Sequence, residues 1–182
     1  GLSGHVRIQS GQSGGGRSGK IHFGIGSSEG ASGSVTVSAS MSQVGIGGSV
    51  HISAGESAEG NKSPGGAMIV RSGGSTESSS GSINLSTENS GSEGASGGIM
   101  IATGTSTVGA SGNIRVSTGN SADGYAGTIA LTGGSGFSGI GSGVSVAAGN
   151  SMQLTGGAVA VESGASTTGL SSGAIDIYTG VG

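Results

Sequence analysis

Two apolar residues separated by a single residue recur twelve times along this chain, at an interval that hardly varies. The pairs are Val6/Ile8, Ile21/Phe23, Val35/Val37, Val50/Ile52, Met68/Val70, Ile83/Leu85, Ile99/Ile101, Ile114/Val116, Ile129/Leu131, Val144/Val146, Val159/Val161 and Ile175/Ile177. Their first members lie 15, 14, 15, 18, 15, 16, 15, 15, 15, 15 and 16 residues apart, so the unit is 15 residues long. A period of this kind constrains the fold more than local propensity does, because a unit too small to bury its own apolar face must find neighbours of its own type. Aligned on the pairs, Gly stands two positions before the first apolar residue in eleven of twelve units, with Ser142 the departure. Gly also stands three positions after the second apolar residue in ten, with Ser40 and Glu88 departing, and Ser follows two further on in ten. The consensus is Gly-x-Φ-x-Φ-x-small-Gly-x-Ser-x-x-Gly-x-Ser, where Φ is mostly a branched aliphatic.

This pattern predicts an all-β fold. Alternation Φ-x-Φ-x-small places three side chains on one face of an extended segment, the third being small, as at Ala54, Thr103, Thr118 and Ala148. The intervening residues, such as Arg7, His22, Thr36, His51, Asn84 and Arg115, then face outward. Gly after the small residue suits a turn of positive φ, and the Gly/Ser-rich half of the unit suits a return segment. Fifteen extended residues trace about 50 Å, the circuit of one coil of a narrow β-solenoid, and coils rising about 4.8 Å each would make a rod of about 58 Å. The expectation is therefore a narrow β-solenoid of about twelve 15-residue coils, in which the first and second members of the pairs stack as two apolar ladders. Ser13, Ser28, Ser42, Ser57, Ser75, Ser90, Ser106 and Ser121 form a polar file opposite, their hydroxyls bonding within the turn or along the file. A sandwich of hairpins would need apolar alternation in both halves of the unit, and only one half carries it.

Residues 1–182 read as one array, an excerpt or protomer of a longer fibre, because both the segment Gly4–Ile8 and the segment Gly173–Ile177 are in full register and neither resembles a cap. The 18-residue interval from Val50 to Met68 holds a loop insertion near 59–65, including Pro64, the chain's one proline.

Composition narrows the alternatives. With 45 Gly, one Pro and no three-residue beat, the chain is not collagen-like. A net charge of -3 and recurrent Val and Ile separate it from ordinary disordered Gly/Ser segments. Two per cent aromatic residues and no Trp leave too little bulk for a conventional enzyme core. The absence of Cys excludes disulfides and thiolate metal sites. No apolar run approaches the roughly 18 residues of a membrane span. Five of the six basic residues, Arg7, Arg17, Lys20, Lys62 and Arg71, lie in the first 71 positions, too sparse for nucleic acid but asymmetric enough to orient contacts between copies.

Little else carries chemistry. His22 and His51 would stand two coils apart, roughly 10 Å, too far for joint metal ligation. Glu56 and Glu59, or Glu88 and Glu93, have no partnered acid or base. With Asp only at 123 and 176, no repeated calcium ladder can form. Gly14-Gly15-Gly16 lacks the following Lys-Ser/Thr of a phosphate loop. No catalytic residue, cofactor or metal site is expected, and the chain does not read as an enzyme. Asn61 and Asn84 stand in N-glycosylation sequons, and the dense loop hydroxyls suit O-linked sugars.

The units Gly47–Ser57 and Gly112–Ser121 resemble those of Gly/Ser-rich arrays in very large secreted or surface proteins of microalgae such as diatoms. The resemblance covers the whole chain and implies an extracellular or cell-surface location, a fibrous or adhesive role, covalent glycans and no defined active site. Some insect ice-binding proteins are similar in period, but their Thr-x-Thr files have only scattered counterparts here, Thr36, Thr128 and Thr132. The functional expectation is a structural fibre that assembles with itself by end-to-end stacking or laterally. The alternative is a rod that binds ice or extracellular polysaccharide.

Overall fold

The computed structural model describes residues 3–58, 60 and 63–180. Among them there is no helix and no β-strand: the chain is coil, punctuated by bends at regular intervals. The β-solenoid expected from the period is thus corrected, and no stacked coil or ladder is present among the described residues.

The correction extends to each residue assigned to a ladder. In the first file, Ile21, Val35, Val50, Met68, Ile83, Ile99, Ile114, Ile129, Val144, Val159 and Ile175 are 47–60% exposed, and Val6, where the file begins, is 90% exposed. In the second, Phe23, Val37, Ile52, Val70, Leu85, Ile101, Val116, Leu131, Val146 and Val161 are 70–77% exposed, with Ile8 and Ile177 at its ends also exposed. A residue stacked between two coils and facing an opposite wall would be enclosed, so none of these side chains sits in a solenoid interior.

The hydrogen bonds give the physical reason. Coils stacked one on another would join backbone groups one repeat apart. Instead, Gly48 N–H donates to Ser40 O, Gly66 to Gly55, Gly81 to Gly73, Ser142 to Gly134, Gly157 to Gly149 and Gly173 to Gly164, all at 2.9–3.0 Å. Each bond joins the residue two before one apolar pair to the residue three after the previous pair. In these six units the polar half of the repeat therefore closes on itself as a loop with a one-bond neck. The longer units are absorbed above the neck. Gly55 and Gly66 close around the insertion, whose residues 59, 61 and 62 lie outside the described set.

In four of the loops the consensus serine sets the bend. Gly16 N–H donates to Ser13 Oγ at 3.0 Å, Gly45 to Ser42 Oγ at 2.9 Å, Ser78 to Ser75 Oγ at 2.9 Å and Leu154 to Ser151 Oγ at 2.9 Å. A hydroxyl three residues before an amide imitates a backbone turn. Of the two arrangements open to the serine file, these contacts realise the one within the turn. Positive φ also falls at the bend: Gly60, Gly94, Gly109, Gly124 and Gly169 adopt it. That corrects the expectation for the glycine directly after the small residue, which in four of these units stands five positions earlier.

Ser42→Ala should leave the Gly45 amide bonded only to water. Its hydrogen exchange is expected to quicken about threefold, the lower end for an exposed intramolecular bond, while the Gly48 amide at the neck keeps its rate.

The chain falls into two compact units, Gly1–Asn89 and Ser90–Gly182. Each contains three of the neck bonds above. Neither has a core, since no described residue is buried. The accessible surface is 18517 Å². A compact protein of this mass exposes about 7,600 Å² and its unfolded chain about 24,000 Å².

Candidate functional site

In several units the glycine before one apolar pair packs against the small residue after the previous pair. A Cβ added to Gly48 would lie 3.0 Å from Ala39 Cβ, one on Gly112 3.2 Å from Thr103 Cγ2, and one on Gly127 3.3 Å from Thr118 Cγ2. Gly19 faces Ser10 and Gly157 faces Ala148 in the same way, at 3.3 and 3.4 Å. At Gly19, Gly48, Gly112 and Gly127 glycine is therefore required by close approach to the small residue that follows the previous pair, whereas Gly33 meets the larger Ile25 at 3.4 Å. The unit that departs from the consensus at Ser142 carries Gly133 in place of the small residue opposite. There a Cβ on Gly133 would lie 2.7 Å from Ser142 O. Glycine has changed sides, and the neck keeps one side chain, not two.

Between the necks the apolar pairs remain exposed. Apart from Val6, Ile8 and Ile177 at the ends, the first and second apolar residues keep narrow ranges of exposure over successive units. All twenty-four ladder residues assigned from the sequence are thus exposed, as a periodic array of apolar side chains. A second set falls outside the repeat pattern: Val44, Ile46, Tyr125, Phe137, Ile140 and Met152 stand fully exposed on the loops. Their signal in the sequence is a lone large side chain among Gly and Ser.

The polar candidates remain dispersed. His5, His22 and His51 are exposed, and no group of three His, Cys, Asp or Glu could hold a metal among the described residues. No cavity opens among the described residues. Asn84 is exposed, and Asn61 lies outside the described residues. Ser57 Oγ is the one enclosed side-chain polar atom without a hydrogen bond among the described residues. No described helix is long and apolar enough to cross a membrane. No protein-family model, curated protein or solved structure matches the chain.

Proposed function

We propose that the protein is a structural, self-associating component of an extracellular or cell-surface fibre and has no catalytic role. The observation that carries this reading is the exposed apolar array, presented at intervals of 14 to 18 residues, most of them 15. Monomeric soluble proteins rarely leave contiguous apolar surface uncovered, and large patches mark association sites. A net charge of -3 on 182 residues is too small to keep such a surface apart by repulsion. A second copy offers the same spacing, so contacts made at one unit can be repeated at the next. Exposed hydroxyls and the Asn84 amide are open to covalent sugars, in keeping with a wall or matrix setting.

The reading is tested by sedimentation velocity on the purified chain over a hundredfold concentration range, with electron microscopy of the heaviest fraction. The expected result is a sedimentation coefficient that climbs with concentration and a population of fibrous assemblies. A single monomeric species at every concentration would exclude it.

A further inference from the structure

We infer that Asp123 is a site of spontaneous backbone isomerisation, which converts it into isoaspartate through a cyclic imide formed with the Gly124 amide. Asp123-Gly124 is the one Asp-Gly step in the chain, and none of the six Asn precedes a Gly. Both residues are exposed and lie in a bend, where Gly124 has a φ of 139°. Among the described residues, the loop 117–127 has neither the neck bond nor the serine-to-amide bond that holds the loop of Ser40 and Gly48. The amide of Gly127 closes no neck there, and Ser121 Oγ accepts no amide of the bend. The Gly124 N–H is thus committed to no acceptor, and the Asp123 carboxyl beside it is open to water.

The reaction needs no enzyme, no second copy and no reagent but water. The Gly124 nitrogen attacks Asp123 Cγ. The N–Cγ bond forms, a Cγ–O bond breaks, and that oxygen leaves as water with the amide proton and a second proton from the carboxyl or the solvent. Water then adds to one carbonyl of the five-membered imide and opens the ring. Cleavage at Cγ returns Asp, whereas cleavage at the α-carbonyl leaves Gly124 joined through Cγ, which is isoaspartate. Nothing is oxidised, and the overall composition is unchanged. Glycine favours the attack because no side chain stands beside the nitrogen. Asp176 lacks this advantage, since the β-branched Ile177 follows it. Glu93-Gly94 occupies a similar exposed bend, with Gly94 at a φ of 127°, but its extra methylene would demand a six-membered ring. The product carries one more methylene in the backbone of the bend, while the flanking pairs Ile114/Val116 and Ile129/Leu131 keep their covalent structure.

The full chain, incubated for several weeks at physiological temperature and neutral pH in water labelled with heavy oxygen, tests it. Electron-transfer fragmentation of its peptides distinguishes isoaspartate from Asp at each position, and label taken up by Asp123 counts passages through the imide that return to Asp. Isoaspartate and label should accumulate at residue 123 and lag well behind at Asp176 and Glu93. Gly124→Ala should slow the conversion roughly tenfold, because a methyl group then stands beside the attacking nitrogen and the backbone loses conformations that only glycine visits readily. The parent rate should lie within about threefold of the rate of the same chain in concentrated urea, since an exposed loop opens at almost no cost. The inference is overturned if residue 123 gains neither isoaspartate nor label, if Asp176 keeps pace with it, or if Gly124→Ala reacts as fast as the parent. A rate that lags further behind the urea value overturns it as well, because the fold would then be holding the bend closed to attack.

Discussion

Asp substituted together for Ile101, Val116 and Leu131 is expected to weaken self-association by roughly a hundredfold or more, since covering an apolar side chain of this size contributes about 2 kcal/mol each and a carboxylate cannot take its place. The three residues hold equivalent positions in successive units of Ser90–Gly182, and about three-quarters of each side chain faces solvent. They contribute nothing to the necks or the bends, so the monomer should survive the change. Amide exchange at Gly157 and Gly173, whose N–H groups close necks in the same unit, should be unaltered. Met100→Asp, Ala130→Asp and Ser145→Asp add the same charge at the intervening positions and should cost far less. Equal losses from the two sets would mean that repulsion, and not apolar contact, governs assembly. Unchanged assembly in the first set would show that the array is not the contact surface.

The contrast between the period and the fold lies in what a repeat can specify. The 15-residue spacing and the fixed places of Gly and Ser are properties of the chain, and each has a role in the structure. Ser13, Ser42, Ser75 and Ser151 hold the bend, while glycine at 48 lets the neck close against Ala39. What the spacing does not encode is where the backbone finds its partner. Stacking one coil on the next requires pairing across a whole repeat, whereas Ser40 and Gly48 meet inside one, after a shorter and less entropically costly closure. Two apolar residues per unit are too few to overturn that preference, and the flexible glycines on either side make local closure easy. Pairs such as Val35/Val37, Val50/Ile52 and Val144/Val146 are legible in the sequence as the residues that need covering. Their exposure within one chain is not, because alternation says which side chains share a face and not whether anything packs on it. Phe137 and Ile140 are hidden for a related reason: a period of 15 does not mark a residue that fails to recur.

Gly133→Ser is expected to open its neck, and pairing it with Ser142→Gly should close the neck again. In the parent, a Cβ on Gly133 would meet the Ser142 backbone O at 2.7 Å and Ser142 Cβ at 3.3 Å; glycine at 142 removes the second contact and, with its wider backbone freedom, lets the carbonyl of the first turn away. The single change should therefore break the bond from Ser142 N–H to Gly134 O, 3.0 Å in the parent. Loss of one exposed backbone bond corresponds to about 1 kcal/mol, so exchange of that amide should quicken about fivefold. The double change recreates the arrangement at the next neck, where the small residue Ala148 faces Gly157 and the bond from Gly157 to Gly149 is 2.9 Å. Its residue-142 amide should return to within a factor of about two of the parent rate, a coupling that independent sites do not show. If both single changes, Gly133→Ser and Ser142→Gly, prove neutral, the exchange of glycine between the two sides carries no packing constraint. If the double variant is as open as Gly133→Ser alone, the neck tolerates glycine on one side only, and the shared small-residue rule fails at this unit.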